Sequence, residues 1–360
     1  MEMNFFSGKK VLVTGHTGFK GSWLCLWLQK MGANVTGYSL APQEPSLYEQ
    51  AAVAENMKSV IGDIRDVNLL HSTIKTTQPE IVFHLAAQSL VRASYVDPLE
   101  TYATNVIGSL NLLEAIKKVA SVKAVVMVST DKCYEDARIS DKAEGYNESD
   151  RLGGYDPYSS SKACLEILVN SYRQSFLSDS NNTLFIATAR AGNVIGGGDY
   201  AQDRLIPDIL TAINNNTSIE LRYPNAIRPW QHVLEPLSGY LLLAEQLYKK
   251  GADFAQAWNF GPSKSSEKSV SWVTQYMLDN MVTHSKIRLN EDTKFHETSC
   301  LKLNCQKSQH LLNWQGAWTI EQTLDKVIEW QTVYFNDKKT IKVLCLQQIE
   351  EYCQSRASAA

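Results

Sequence analysis

An α/β chain built on a doubly wound parallel sheet, with a smaller mixed α/β part attached, is predicted by three observations on this sequence. Short β-branched runs alternate with helical patterns from residue 11 to about residue 189, the pattern of a parallel sheet covered on both faces. Between the first run and the first helix, Gly15, Gly18 and Gly21 recur at three-residue spacing. Beyond Arg190 the alternation breaks down at Gly196-Gly197-Gly198, which marks the passage into a second part.

Val11, Leu12 and Val13 form the first strand, suited to burial on both faces. Leu24, Trp27, Leu28 and Met31 then repeat at helical spacing, and Gly32 ends the helix. The three glycines between them suit a tight turn, a close approach of backbone to phosphate, and close packing of helix on strand. A helix start aimed at that turn offers free N–H groups to a diphosphate, so the stretch reads as a dinucleotide cradle. Asn34 to Tyr38 is the second strand. Its end, Tyr38-Ser39-Leu40, lacks the acid that usually meets the adenosine ribose. Ser39 to Gln50 also lacks any Arg or Lys for a 2′-phosphate, so NAD is expected over NADP.

Val60 to Asp63 is the third strand, and Asp63 either accepts from the adenine amino group or caps the helix that begins near Asp66. Ile81 to Leu85 is the fourth, running into the small residues Ala86 and Ala87 and then Gln88. Leu99 to Lys118 reads as one long helix, and Ala124 to Ser129 as the fifth strand. That strand ends in Ser129-Thr130-Asp131-Lys132, at the sheet edge where ligands of open parallel sheets bind. Tyr155 to Lys162 opens a helix reaching about Phe176, and Thr183 to Ala189 is the sixth strand. Further on, Leu205 to Ile213 reads as a helix followed by the polar turn Asn214 to Ser218. Ile227 to Val233 and Trp258 to Gly261 are extended pieces flanking the helix Glu235 to Tyr248. The tail after Trp330 is mixed in character, and SRASAA is expected to fray. The dinucleotide-binding part is expected at 1–190 with return segments at about 229–260, and a discontinuous substrate-binding part within 191–360.

A length of 360 residues fits such a pair of parts. The net charge of -3 argues against a nucleic-acid partner, and no apolar run approaches the ~20 residues of a membrane helix. With no signal-peptide core at the N-terminus, a cytoplasmic protein is expected. Seven cysteines, mostly scattered singly, fit reduced thiols, and the closest pair, Cys300 and Cys305, matches no zinc pattern, so no metal is expected.

Tyr158 and Lys162 stand four residues apart, on one face of a helix. A lysine ammonium beside a phenol favours the phenolate, lowering a pKa of ~10 toward working pH for general-base chemistry. Tyr334 and Lys338 repeat the spacing, but only Tyr158 follows a strand ending in a hydroxyl, Thr130, that can bond the same substrate oxygen.

The set Thr14 to Gly21 (TGHTGFKG), His84 to Gln88 (HLAAQ), Asn105, Ser129-Thr130-Asp131 and Tyr158 with Lys162 resembles the extended short-chain dehydrogenase/reductase family, over residues 8 to 330. That likeness implies a Rossmann dinucleotide domain. Thr130-Asp131-Lys132 is similar to the nucleotide-sugar 4,6-dehydratases within it. The runs Arg190 to Asp199 and Arg228 to Pro236 most resemble the branch acting on CDP-glucose, and the cytosine comes from that likeness alone.

The resemblance implies bound NAD held by Gly15, Thr17, Gly18, Phe19, Gly21, Asp63, Ile64, Leu85, Ala86, Ala87, Gln88, Thr104, Tyr158 and Lys162. It implies a nucleotide sugar contacted by Gln88, Asn193, Arg204 and Arg228. The implied reaction is a redox-neutral loss of water in which Tyr158 takes the 4-hydroxyl proton, Thr130 positions that oxygen and Asp131 is the acid at the 6-hydroxyl. Relatives carry a glutamate at the place of Lys132. This lysine is either a neutral base at C5, with its pKa lowered by about three units, or a charged group steadying the enolate while Tyr158 takes the proton. Glu235 is expected to be structural. The resemblance also implies a homodimer through helices at about 99–118 and 156–176, or a dimer of dimers. The rival readings are a C4 epimerase, in which Asp131 and Lys132 would be idle, and a dinucleotide-sensing module without turnover.

Overall fold

The computed structural model describes residues 4–135, 144–179, 181–289 and 302–359. Seven strands form one sheet: β1 (Lys10–Thr14), β2 (Asn34–Ser39), β3 (Lys58–Ile61), β4 (Ile81–His84), β5 (Ala124–Val128), β6 (Phe185–Ala191) and a late strand, Ala257–Phe260. All neighbours are parallel. From one edge the order is Ala257–Phe260, β6, β5, β4, β1, β2, β3. It reverses between β1 and β4, where Thr14 lies opposite His84 and a crevice opens at the carboxyl ends of the strands. Thr14 Oγ1 and His84 Nδ1 stitch the two strands there at 2.7 Å, and Ser109 Oγ meets the other ring nitrogen at 2.9 Å.

Why these residues make strands is clearest in β1. Val11 and Val13 enter the core on one face of the sheet and Leu12 the core on the other, so the β-branched run is covered on both sides. The helix Phe19–Lys30 goes further than its expected stripe, because Trp23, Leu24, Cys25, Leu26, Trp27 and Leu28 are all buried. Each leucine sealed this way contributes roughly 1.5–3 kcal/mol. What covers the outer side is the C-terminal helix Ile341–Ala359, whose Tyr352 ring meets Trp27 edge-on at 5.7 Å.

That helix corrects the expectation of a mixed tail with a frayed end. Ile341, Leu344, Cys345, Ile349 and Tyr352 are buried, and helical backbone continues through Ala359. Tyr352 also donates to Glu235 at 2.6 Å, and Glu235 accepts from the backbone of Ala317 and Trp318. The carboxylate thereby ties two distant segments together, the structural role expected of it.

The long helix expected over Leu99 to Lys118 is interrupted. Pro98–Tyr102 and Ser109–Ile116 are α-helical, but Ala103–Gly108 widens into a π-turn. Within that turn Asn105 points inward: its Oδ1 accepts from Gln88 N at 2.8 Å, and its amide donates to Gln88 O and Ser161 Oγ, both at 2.9 Å. Such widened turns are common at functional sites. Here it locks the loop after β4 to the helix that carries Tyr158.

Beyond the carboxyl edge of the sheet, a second, smaller core gathers Ile195, Ile206, Ile209, Trp230, Val273, Met277, Ile320, Leu324 and Val327. Three short strand pairs accompany it: Ile227–Pro229 with Glu267–Ser269, Ile219–Leu221 with Ile287–Leu289, and Val194–Ile195 with Gln231–His232. The chain then returns through the helix Leu234–Lys250 against β5 and β6. Cys305 is buried, its sulfur accepting from Gly261 N–H at 3.0 Å; Cys300 lies outside the described residues.

Candidate active site

The carboxyl ends of β1, β4, β5 and β6 face one cavity of about 1280 Å³ against the smaller core. Its floor is the glycine turn. Gly15 has φ +76°, and a Cβ on it would lie 2.7 Å from Ala86 N. A Cβ on Gly21 would run into the Gly15 carbonyl. These two positions therefore require glycine, and no side chain caps the helix that starts at Phe19. The first N–H groups of that helix are left for an anion. Thr17 Oγ1 lies 2.9 Å from Ser39 Oγ and donates to Leu40 O, so hydroxyls stand at the end of β2 where an acid was missing.

At the end of β3 the capping role open to Asp63 belongs to Asp66, which accepts from Asn68 N and Leu69 N. Asp63 instead holds the Arg65 guanidinium at 2.5 Å, and that arginine keeps its carboxyl below the usual range. Arg65 also pairs with Glu100. Its guanidinium is thereby committed to two carboxylates. Ile64, Leu85, Ala86, Ala87, Gln88 and Thr104 complete the wall. Gln88 is tied at both ends of its amide, by Leu90 N and O and by Thr101 Oγ1.

Asp156 caps the helix Pro157–Phe176, accepting from Ser159 N at 2.9 Å, and places Tyr158 in the first turn. Ser94 Oγ accepts from Tyr158 N at 3.1 Å. One turn later Lys162 Nζ donates to Val128 O at 3.0 Å. Burial pushes the phenol up to about 12; Thr130 and Arg204 pull it down, and Asp131 pushes it further up. Burial also pushes Lys162 down to about 8, against the pull of Glu166. In the protein alone the phenol is therefore above its ordinary value. The expected lowering by Lys162 is not found: desolvation dominates, Lys162 is not among the groups that shift the phenol, and its ammonium donates to a backbone carbonyl instead.

Thr130 Oγ1 donates to Asp131 Oδ1 at 3.0 Å and accepts from Lys132 N at 3.3 Å. Asp131 Oδ2 is buried without a partner among the described residues, and a Cβ on Gly192 would lie 2.9 Å from it. Lys132 lines the same cavity. Behind this edge Glu166, one turn after Lys162, grips Arg190 through two hydrogen bonds of 2.9 Å and accepts from Thr188 at 2.7 Å. The opposite wall holds Asn193, Arg204 and Arg228. Arg204 pairs with Asp199 at 3.0 Å and reaches Ser89 Oγ at 3.3 Å, while Arg228 is buried and donates to Ile227 O.

Every site residue expected from sequence thus meets in one cavity, whereas Tyr334 and Lys338 do not line it. Sequence reasoning missed Lys20, Asp199 and Asp208, all in the lining. For Lys20 a signal existed: a charged side chain inside a turn whose glycines alone were being read. Burial pushes Asp208 up to about 6, with Asp203 adding to the rise and Arg222 and Arg92 opposing it.

The sequence profile of the family described as GDP-mannose 4,6 dehydratase matches residues 12–327. The chain belongs to this family. Among relatives of the dehydratase family, the CDP-glucose 4,6-dehydratase of Salmonella typhimurium is 46% identical over 356 residues, 98% of each chain. The dTDP-glucose 4,6-dehydratase of Haemophilus influenzae is 26% identical over 89% of this chain and 97% of its own. Two solved structures share the fold. The dTDP-glucose 4,6-dehydratase of Bacillus anthracis, in complex with NAD, has a TM-score of 0.74 at 23% identity, covering 94% of this chain and all of that one. An epimerase of Methanothermobacter thermautotrophicus has a TM-score of 0.79 at 24% identity, covering 94% and 96%.

Proposed function

We propose that this member of the dehydratase family is an NAD-dependent lyase that removes water from CDP-glucose to give the CDP-4-keto-6-deoxy sugar. One observation carries the reading above all: Asp131, whose buried Oδ2 has no partner among the described residues, lines the cavity together with Tyr158 and Thr130. A C4 epimerase has no use for a second acid there. The printed name of the Salmonella relative, at 46% identity over nearly the whole chain, supports the choice of CDP-glucose.

The glycine turn fits a dinucleotide, since two of its positions exclude a Cβ and its helix end is uncapped. Gly15, Thr17, Gly18, Phe19 and Gly21 would hold the diphosphate, Asp63 and Ile64 the adenosine, Leu85, Ala86, Ala87, Gln88 and Thr104 the flank, and Tyr158 and Lys162 the nicotinamide ribose. When bound, NAD supplies a hydride acceptor at C4 of the hexose and a donor at C6. The protein's own work is proton management. Tyr158 Oη takes the proton of the 4-hydroxyl, and Thr130 Oγ1 orients that oxygen. Asp131 Oδ2 gives a proton to the departing 6-hydroxyl. The C5 proton leaves to Lys132 Nζ, or to Tyr158 once it has released the 4-hydroxyl proton to solvent, with Lys132 as the charge that steadies the enolate; a Lys132→Glu variant that keeps full solvent exchange at C5 removes any need for an amine. Asn193, Arg204 and Arg228, with Gln88, hold the nucleotide sugar.

In this reading NAD belongs to residues 1–190 with the return at about 229–260, and the sugar nucleotide to the rest of 191–360. Val96 (86% exposed) and Leu99 (83%), with Ile107 and Ile167, leave apolar surface on the helices flanking Tyr158, which supports a homodimer or a dimer of dimers. Among the described residues no helix is long and apolar enough to cross a membrane.

The test is incubation with NAD and CDP-, dTDP- and GDP-hexoses. Loss of one water and a 4-keto-6-deoxy chromophore with the CDP sugar is the expected result. An isomer of unchanged mass means epimerisation, and preference for another base moves the substrate assignment.

A further inference from the structure

Lys20 is the second residue of the helix that begins in the glycine turn, and it lines the cavity with Asp131, Asp199 and Arg204. Its ammonium forms no hydrogen bond or ion pair among the described residues. Four charged groups face it: Arg204 and Lys162, of the same sign, and Asp131 and Asp199, of the opposite sign. Neither carboxylate bonds to it, although both favour its charge from a distance. Asp199 is committed to Arg204 at 3.0 Å and Ala201 N at 3.1 Å, and Asp131 accepts from Thr130.

Three physical effects oppose a cation at this place. Partial burial strips much of its water, the positive end of the helix dipole repels it, and two further cations stand nearby. Together, burial first and then Arg204 and Lys162, they push its pKa down to about 8. An aliphatic side chain would fill the same space without these costs. The arrangement is relieved only when an anion enters the cavity, and two positions there suit a phosphate: the uncapped helix end beneath Lys20, and Arg204 across from it.

Resting on the function proposed above, we infer that Lys20 binds a phosphate oxygen of a diphosphate, either that of the dinucleotide on the glycine turn or that of the nucleotide sugar. In both cases it acts as a binding residue that completes charge balance in the loaded site.

The test measures binding by titration calorimetry with four probes, ADP-ribose, AMP, CDP and CMP, on the wild type, Lys20→Met and Lys20→Arg. Lys20→Met is expected to lose about 10- to 100-fold in affinity for one diphosphate, with the matching monophosphate affected less and Lys20→Arg retaining most of the affinity. Loss confined to ADP-ribose assigns the dinucleotide, and loss confined to CDP assigns the nucleotide sugar. Wild-type affinity for that diphosphate is expected to decline as pH rises past about 8, and Lys20→Met to lose Lys20's share of the decline while the share of Lys162 stays. If Lys20→Met binds both diphosphates within about twofold of wild type, with the same pH profile, the inference is overturned, and a higher melting temperature then marks Lys20 as only a structural burden. Wild-type turnover of CDP-glucose in the same preparation keeps this failure separate from failure of the proposed function, which a wild type inert toward CDP-glucose would show.

Discussion

Asp131→Asn isolates the acid on which the dehydratase reading turns. The substitution is nearly isosteric, and the amide oxygen can keep the 3.0 Å hydrogen bond that Oδ1 accepts from Thr130. The atom exchanged is Oδ2, which has no partner to lose among the described residues. Stability should therefore stay within about 1 kcal/mol of wild type. Chemistry should not. A positioned general acid is worth roughly 10²- to 10⁴-fold, or ~3–5 kcal/mol at the barrier it lowers. Loss of water from the 4-keto sugar should slow by that factor while oxidation at C4, which uses Tyr158 and Thr130, proceeds. The assay follows the near-ultraviolet absorbance of reduced dinucleotide after mixing enzyme, NAD and CDP-glucose. Wild type should show little accumulation because the hydride is promptly returned; Asp131→Asn should build up reduced dinucleotide approaching one equivalent per site, with little dehydrated product. Turnover within about threefold of wild type would refute the assignment of Asp131. A variant that fails to oxidise C4 as well would refute the separation of the two steps.

Acid should destabilise the fold through three buried histidines, His16, His84 and His232, which burial pushes down to about 4, about 3 and about 3. Each folded-state pKa lies below the unfolded value, so the unfolded chain binds more protons as pH falls below ~6.5, and going from about pH 7.5 to about 5.5 should cost up to about 4 kcal/mol in all; flat urea midpoints over that range would exclude it. Glu166→Gln breaks the buried pair with Arg190 and should lower stability by about 3–5 kcal/mol, a loss below about 1 kcal/mol showing that water or relaxation serves Arg190 instead. Gly21→Ala drives a Cβ into the Gly15 carbonyl and should abolish ADP-ribose binding in calorimetry; retained binding would mean the turn is not the cradle. Leu99→Arg combined with Ile167→Arg should leave a monomer by light scattering, and a wild type that is already monomeric would end the dimer proposal.

What the sequence made legible was whatever local pattern decides. β1, its glycine turn and the helix start are set by contiguous residues whose shapes leave little choice, and the paired placement of Tyr158 and Lys162 follows from helical spacing. The π-turn at Ala103–Gly108 was not legible, because its cause is Asn105 bonding to Gln88 and Ser161, partners 17 and 56 residues away. The C-terminal helix was blurred for another reason: Ile341, Leu344, Cys345, Ile349 and Tyr352 keep helical spacing, but the polar Gln348 sits within the buried face and the apolar Val343 stands exposed off it. Charge was the least legible property. The expectation that Lys162 lowers the Tyr158 phenol rested on helical spacing and left out the dominant effect, desolvation, which tertiary burial alone decides. The same omission hid Lys20, which meets the like charges of Arg204, from a loop, and Lys162, from a helix, both more than a hundred residues away in sequence. The protein's own groups thus hold the Tyr158 phenol above its ordinary value and gather Lys20, Lys162 and Arg204 around one cavity. Entry of a diphosphate would relieve the crowding of Lys20, Lys162 and Arg204, whereas the phenol becomes a better base only where a cation or a hydrogen-bond donor comes to stand beside it.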